Sequence, residues 1–256
     1  MPDTFTFGTY NLEYGGIDKG DDTRLRRQLA MLAEAPADAW ALQECSHWAG
    51  NGALYLAEDI LEMRGFIARS ARGHGGDLAV FVRETTEIKV IETRHEEKPP
   101  YWHGVALITA EATDFGPIRL ASAHLAPAAP SLRVIEAESF ALIAEKPAPL
   151  IAGGDWNAVP LNAPAPDTGG IHPAKARRKL DSRAAAALSE YMTDTGTKLG
   201  DATPTVGHRR SDRLAYRADR IYTTLPDFAI ISHQVIFEDD PQSDHRPVLA
   251  TFNLGL

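Results

Sequence analysis

The sequence predicts an α/β fold of the α+β kind, in which two β-sheets pack face to face and helices cover their outer faces. Three observations point there. Short apolar runs that read as strands come in packs instead of alternating one-for-one with helices, so a doubly wound parallel sheet fits poorly. Amphipathic helical segments occur near the start and again in the middle, where they can cover two separate sheets. The chain has 256 residues, 44% of them apolar, which is enough for one large unit with a sizeable core.

Each element follows from local pattern. FTFGTYNL (5–12) reads as a strand. DTRLRRQLAMLAEA (22–35) reads as a helix, because Leu25, Leu29 and Leu32 recur at i, i+4, i+7 behind an Asp22 or Thr23 cap. DAWALQE (38–44) returns to strand and NGALYLAEDILEM (51–63) to helix. Five strand signals follow in series: GFIARSA, GDLAVFVR, TEIKVIETR, GVALITAEAT and GPIRLASAHL, the last two joined by the hairpin-like turn TDFGP. SLRVIEAESFALIAE (131–145) is expected to be a helix capped by Ser131, APLIAGGD a strand and SRAAAALSEYMT (182–193) a helix. ADRIYTT, FAIISHQVIF and PVLATFNL close the chain as strands. No internal repeat or linker interrupts the order, so a single domain over 1–256 is expected. AVPLNAPAPDTGGIHPAK (158–175) reads as a long Pro/Gly-rich loop of the functional or disordered kind.

The net charge of −9 argues against general nucleic-acid binding. Its distribution argues differently, since residues 175–220 hold 11 Lys/Arg against 6 Asp/Glu while the rest of the chain holds 15 against 29. The segment is either a solvated helix face plus loop or a rim that steers phosphate. One cysteine, Cys45, excludes an internal disulfide. No apolar run approaches ~20 residues and the N-terminus lacks a basic and an apolar leader region, so no membrane span is expected and a cytoplasmic monomer is the plain expectation.

PLIAGGDWNAVP (149–160) raises the question of function, because an apolar strand ends in a carboxylate and an amide two residues apart. With period two, Asp155 and Asn157 should share one side and Trp156 should turn to the core. Other strand ends repeat the theme: Asn11 and Glu13 in TYNLE, Glu44 in LQE, His124 in SAHL, Asp219 in RADRIY, and Asp244 and His245 in SDHRPV. Any one of these has a plain explanation as a turn former, a cap or a satisfied histidine. As a set, they converge on a polar site.

The series TYNLE, LQE, SAHL, GGDWN, ADRIY and SDHRPV, in this order from residue 9 to 248, resembles the endonuclease/exonuclease/phosphatase superfamily, which includes deoxyribonuclease I, AP endonucleases, neutral sphingomyelinases and inositol polyphosphate 5-phosphatases. The resemblance implies a four-layer αββα sandwich of two mixed sheets. It also implies hydrolysis of phosphoester bonds with a divalent metal, Mg²⁺ foremost and Mn²⁺ as the alternative. A phosphodiester anion repels nucleophiles, so the chemistry needs charge neutralisation, an activated water and help for the leaving oxygen. By resemblance Glu44 is the first metal ligand, with Asn11 beside it, Asp244 supporting the metal and Glu13 a nearby acid. Asp155 orients or deprotonates the water, or holds a second metal, and Asn157 binds a phosphate oxygen. Gly153 and Gly154 would let backbone pass close to the site. His245 faces the scissile phosphate, with Asp219 fixing its tautomer, and His124 acts on the phosphate or the leaving group. AP endonucleases place the base at the Asp155 position and deoxyribonuclease I uses the histidine pair, so both assignments stay open.

Plain explanations stand beside these. Asp219 could salt-bridge Arg217 or Arg220, Asp201 could cap a turn, and Asp77, His47, His74, His103 and His208 lie near motifs without being expected at the substrate. Cys45 should face away from Glu44, into the core. RADR departs from the WCDR of inositol 5-phosphatases. Trp156 stands where a tyrosyl-DNA phosphodiesterase more often has threonine. The placement of the basic segment favours a nuclease on DNA or RNA. The small size and net negative charge favour the alternative, a phosphatase or phosphodiesterase acting on a small phosphorylated molecule or lipid headgroup. A non-catalytic nucleic-acid-binding module on the same fold is the third possibility, and it would be marked by loss of Glu44, Asp155 or His245.

Overall fold

The computed structural model describes residues 4–73, 76–85, 87–164, 166–209 and 214–255; His74 and the basic residues Arg210 and Arg213 lie outside them. The described chain runs β1 (Thr4–Asn11), α1 (Thr23–Glu34), β2 (Ala39–Gln43), α2 (Trp48–Asn51), α3 (Ala53–Leu61), β3 (Arg64–Ala68), β4 (Leu78–Val82), β5 (Ile88–Thr93), β6 (Val105–Ala112) and β7 (Gly116–His124). It continues through α4 (Pro130–Ala144), β8 (Leu150–Asp155), α5 (Pro173–Lys179), α6 (Arg183–Ser189), β9 (Thr193–Asp194), α7 (Thr195–Leu199), β10 (Asp219–Thr223), β11 (Ile230–Val235) and β12 (Val248–Asn253).

Two six-stranded sheets result, ordered β11-β12-β1-β2-β4-β3 and β5-β6-β7-β8-β10-β9. Both are mixed: β1 and β2 run parallel, as do β7 and β8, and the other pairs are antiparallel. Strand alternation divides the apolar residues into layers. Phe5, Phe7, Ala39, Ala41, Leu120, Ile151 and Ile221 meet between the sheets. Trp40, Leu42 and Phe81 turn outward against Leu25, Leu29 and Leu32 of α1 and Ala57 and Leu61 of α3. On the far side Ala152, Trp156 and Tyr222 pack on Phe140 of α4 and Leu188 of α6. The order helix–sheet–sheet–helix is the expected sandwich, with the ring of Trp156 in the outer core, edge-on to Phe140 at 5.3 Å and to Tyr222 at 5.0 Å.

The inward rows carry the site. In β1 the row Phe5, Phe7, Thr9, Asn11 passes from apolar to polar along one face; β2 repeats it with Ala39, Ala41, Gln43, β7 with Leu120, Ser122, His124, and β8 with Ile151, Gly153, Asp155. The sheets are tied together just below the rim: Thr9 donates to Gln43 Oε1 at 3.2 Å, Gln43 donates to Ser122 Oγ at 2.9 Å, and Ser122 donates to the Leu42 carbonyl at 2.9 Å. Here the two glycines have another use than the expected approach to the site. A Cβ on Gly153 would stand 2.6 Å from Thr9 of the facing sheet, and one on Gly154 would stand 2.2 Å from the Ala123 carbonyl, so they permit close strand and sheet packing.

Several local expectations are corrected. The helix at 131–145 starts at Pro130 with Ala129 as cap, because proline at N1 brings a fixed φ and no unpaired N–H; Ser131 lies inside the first turn. The helix expected over 182–193 ends at Ser189, since Thr193 and Asp194 pair with β10. α5 and the short α2 and α7 carry no long apolar period and were not foreseen. No described helix is long and apolar enough to cross a membrane.

Candidate active site

Topology gathers the motif residues on one edge. β1 and β2 run parallel and end together at Asn11 and Gln43, and β7 and β8 end together at His124 and Asp155. β10 runs the opposite way beside β8, so its first residue, Asp219, pairs with Asp155. β12 is antiparallel to β1 with Val248 opposite Thr9, which brings the preceding Asp244 and His245 to the same edge. Glu44, His124, Asp155, Asn157, Asp244 and His245 all line one cleft of about 640 Å³ there, while Asn11 and Asp219 sit buried beneath it.

Simple alternation does not aim all of them. Glu44 follows the end of β2 and has a left-handed φ of 54°, and the backbone N–H of Tyr14 holds its carboxylate at 2.9 Å. Such a φ is uncommon outside glycine, and it swings Glu44 to the cleft while Cys45 drops into the outer core. Asp155 and Asn157 meet for a reason other than extended period two. Asn157 has φ 48° and its N–H donates to Asp155 Oδ1 at 2.9 Å, a tight turn that asparagine tolerates well.

Asp155 is the hub. Its Oδ2 lies 3.3 Å from His124 Nε2, 3.7 Å from His245 Nε2 and 3.1 Å from Asn157 Nδ2. Burial alone would raise its pKa, but the two imidazoles, helped by Lys179, hold it well below the usual carboxylate range. His245 Nδ1 meets both oxygens of buried Asp219, at 2.8 and 3.0 Å. Burial presses the His245 pKa down, and Asp219 with Asp155 more than reverses this, pushing it up to about 10. His124 is likewise raised: Asp155 outweighs burial. The edge therefore holds an ionised Asp155 between the His245 imidazolium and the His124 ring. Asp219 pairs with His245, and Arg217 pairs with Asp194, so the Asp219–Arg217 alternative does not occur.

Glu13, Glu44 and Asp244 join Asp155 at the Asn11 end. Asn11 Nδ2 lies 3.3 Å from Glu44 Oε1 and 3.4 Å from Asp155 Oδ2, longer than ordinary N–H···O bonds. Burial raises the Asp244 pKa; His245 opposes this, and repulsion from Glu13 and Glu44 adds to it. Glu13 is answered by Arg209, 2.7 Å away. Glu44 and Asp244 offer carboxylate oxygens here, the donor type that fits a hard divalent cation. Asn11, expected at the metal beside them, turns its Nδ2 to Glu44 and gives its Oδ1 to the Glu13 N–H at 3.0 Å, so it orients the carboxylate instead. A second group, Asp155, Asp219 and His245, is also compact enough to hold a metal ion. There the Asp219–His245 contact has hydrogen-bond length, and an ion would have to displace the proton that joins them.

The remaining named residues divide. Asp201 accepts from the Thr203 N–H and caps a turn, Asp77 accepts from the Ser70 N–H, and His208 meets the Ser243 carbonyl. His103 does reach the cleft, its ring stacked on His124 at 3.9 Å and 4°. Sequence reasoning passed over Ser243, whose hydroxyl donates to the Asn11 carbonyl and accepts from the His245 N–H, and Thr205, whose oxygen accepts from the Ala218 and Asp219 N–H groups. It also passed over Lys179, which donates to Asn157 Oδ1 at 3.1 Å. The KARRK spacing, with lysines at i and i+4 on one helix face, was the signal that could have found it. The basic segment is not one rim, for Arg183, Lys198, Arg209 and Arg217 pair with Asp181, Asp227, Glu13 and Asp194. Lys175 and Lys179 line the cleft and form no ion pair with a described acid.

A sandwich whose strand ends hold a carboxylate set for a hard cation beside an Asp–His cluster defines a metal-dependent phosphoesterase, a hydrolase of ester bonds. The endonuclease/exonuclease/phosphatase family model matches residues 8–245, and the chain belongs to that family. Its members are divalent-metal-dependent enzymes. Among solved structures the chain is similar to a humanized D. rerio TDP2, with a TM-score of 0.71 at 17% identity over 98% of this chain and 99% of that one. It is also similar to a Bacteroides vulgatus endonuclease/exonuclease/phosphatase, with a TM-score of 0.71 at 16% identity over 97% and 98%. An Archaeoglobus fulgidus AP endonuclease gives a TM-score of 0.65 at 15% identity over 97% and 99%. At these identities the likeness is one of fold. No curated protein matches the chain.

Proposed function

We propose that the chain is a nuclease, hydrolysing phosphodiester bonds of DNA or RNA with Mg²⁺, or Mn²⁺, held by Glu44 and Asp244, with Asn11 fixing the Glu44 carboxylate beside it. The observation that carries the reading is the cleft itself: the carboxylates of Glu44 and Asp244 line one open volume with Lys175 and Lys179, which form no ion pair with a described acid. That arrangement suits a substrate with more than one phosphate. A bound divalent ion would supply charge neutralisation and polarise a phosphoryl oxygen. Asp155, ionised and aimed into the cleft, accepts a proton from the attacking water as the new P–O bond forms. His245, protonated, sets positive charge against the phosphate and gives its proton to the leaving oxygen as the ester bond breaks, and His124 faces the same phosphate from the other side of Asp155. Asp219 holds the His245 ring by its far nitrogen. One solved relative by fold, D. rerio TDP2, is described in complex with a single-stranded DNA product, which is in keeping with this reading. The same reading takes 1–256 as one catalytic unit, a monomer working in the cytoplasm, where a lone buried thiol such as Cys45 stays reduced.

The pairing of Arg183, Lys198, Arg209 and Arg217 with acids of the chain favours a second reading, a phosphodiesterase acting on a small phosphorylated molecule, because of the segment's described lysines and arginines only Lys175 and Lys179 line the cleft. Supercoiled plasmid incubated with Mg²⁺, with EDTA and Asp155→Ala controls, separates the two. Metal-dependent nicking that disappears in the variant and weakens steeply with salt supports the nuclease. An intact plasmid together with metal-dependent cleavage of bis-p-nitrophenyl phosphate selects the small substrate.

A further inference from the structure

Asn157 has no donor left for a phosphate. Its Nδ2 carries two hydrogens, one directed at the Leu125 carbonyl at 3.1 Å and the other at Asp155 Oδ2 at 3.1 Å. The amide cannot be turned over. Leu125 O and Asp155 Oδ2 only accept, so they require the NH₂; Lys179 Nζ only donates, so the atom it meets at 3.1 Å must be Oδ1. Asn157 is itself buried, at 3% exposure, with its backbone in the left-handed turn described above, so this orientation is fixed from several sides. The donors that do face the cleft at this point are those of Lys179, an ammonium with three hydrogens of which the amide oxygen takes one.

The remaining surroundings agree. Lys179 makes no ion pair with a described acid, although nearby cations do: Arg183 with Asp181, and Arg217 with Asp194. It lies close enough to Asp155 to contribute to keeping that carboxylate ionised. α5, which carries it, also puts Lys175 into the cleft lining one turn earlier, about 6 Å along the axis at 1.5 Å per residue.

We propose that Lys179 is a catalytic residue of this enzyme, its ammonium contacting a non-bridging oxygen of the scissile phosphate, and that Asn157 is a positioning residue that aims it. The role resembles that of an oxyanion-hole donor, but one lent by a helix outside the sheets. It rests on the phosphoesterase reading and adds a residue that none of the family motifs in this chain contains.

The test is a double-mutant cycle with Mg²⁺ on bis-p-nitrophenyl phosphate, using Lys179→Met, Lys179→Arg, Asn157→Ala and the Lys179→Met/Asn157→Ala pair. Inorganic phosphate is titrated as a competitive inhibitor of each, and thermal unfolding checks the fold. The expected result is a fall of about 10²-fold in kcat/KM for Lys179→Met, carried mainly by kcat, with weaker phosphate inhibition. Lys179→Arg recovers most of the loss, and Asn157→Ala, which also loses its bond to Asp155, costs less in the Lys179→Met background than in wild type. A wild-type-like Lys179→Met, or single-variant losses that simply multiply in the pair, overturns the proposal. If Lys179→Met does not fold, Lys179→Gln, polar and of similar length, takes its place with the same expected loss. A wild-type protein inert on every phosphoester offered with metal would instead overturn the phosphoesterase reading beneath it.

Discussion

His245 Nδ1 lies 2.8 Å from Asp219 Oδ2, and the Asp219 side chain is shut off from solvent while the imidazole opens on the cleft. The pair spans two elements that meet only in the folded chain, the start of β10 and the loop before β12. One partner is therefore a fixed buried anchor and the other the working group. Asp219→Asn keeps the shape and an acceptor oxygen but removes the charge that orients and protonates His245. The expected outcome is a fall in kcat/KM on the order of 10²- to 10⁴-fold with circular dichroism unchanged, by analogy with loss of the orienting aspartate in a catalytic triad. Metal-dependent turnover of bis-p-nitrophenyl phosphate measures it.

Glu44 and Asp244 repel each other across the place where a cation fits. Neutralising one of them should act in opposite directions on stability and activity. Glu44→Gln is expected to raise the melting temperature of EDTA-treated protein by a few degrees, to abolish the further rise that Mg²⁺ or Mn²⁺ gives wild type, and to remove activity. Calorimetric melting with and without metal reads the first two, and metal-dependent turnover of bis-p-nitrophenyl phosphate reads the third.

Packing behind the site is unforgiving. Trp156 is fully buried between Phe140 and Tyr222, and its Nε1 donates to the Arg220 carbonyl at 2.9 Å. Trp156→Ala is expected to cost about 3–5 kcal/mol in urea unfolding. Gly153→Val places branched carbons against Thr9 and Ala41 of the facing sheet and should cost about 1–3 kcal/mol by overpacking.

The buried pair of Asp194 and Arg217 gives a pH signature away from the site. Arg217 donates to both carboxylate oxygens, at 2.7 and 2.8 Å. Burial would raise the Asp194 pKa, and Arg217 overrides it, so the folded value lies below the unfolded one. A lowered carboxylate pKa stabilises the fold above the unfolded value of ~3.9 and loses that contribution as pH falls through the folded value. Asp194→Asn should destabilise by about 3–5 kcal/mol at pH 7, because Arg217 is left buried and unpaired. The gap to wild type should then narrow in acid below about pH 4, where wild type protonates the same group. Urea denaturation across that range checks the sign.

Much of this was legible in the chain itself. Period-two rows and apolar packs dictated two facing sheets with outer helices, and TYNLE, LQE, SAHL, GGDWN and SDHRPV marked strand ends, because an apolar run that stops at a carboxylate or amide has reached the rim of a core. The hairpin between β6 and β7 and the burial of Trp156 and Cys45 followed from the same alternation. Short helices such as α5 escaped, since seven residues without an apolar stripe leave no period to detect.

What tertiary structure alone decided is how those strand ends face one another and which charges stay unspent. Alternation predicts that Asp155 and Asn157 share a side, but left-handed backbone at Asn157 and Glu44 does the aiming, and such φ values depend on the surrounding bonds as well as on residue type. The basic segment read as one positive patch until folding paired Arg217 with Asp194 and Arg209 with Glu13 and left Lys175 and Lys179 over the cleft. Composition counts charges, whereas their use depends on distance and burial, and both are fixed only when β8, β10 and α5 come together.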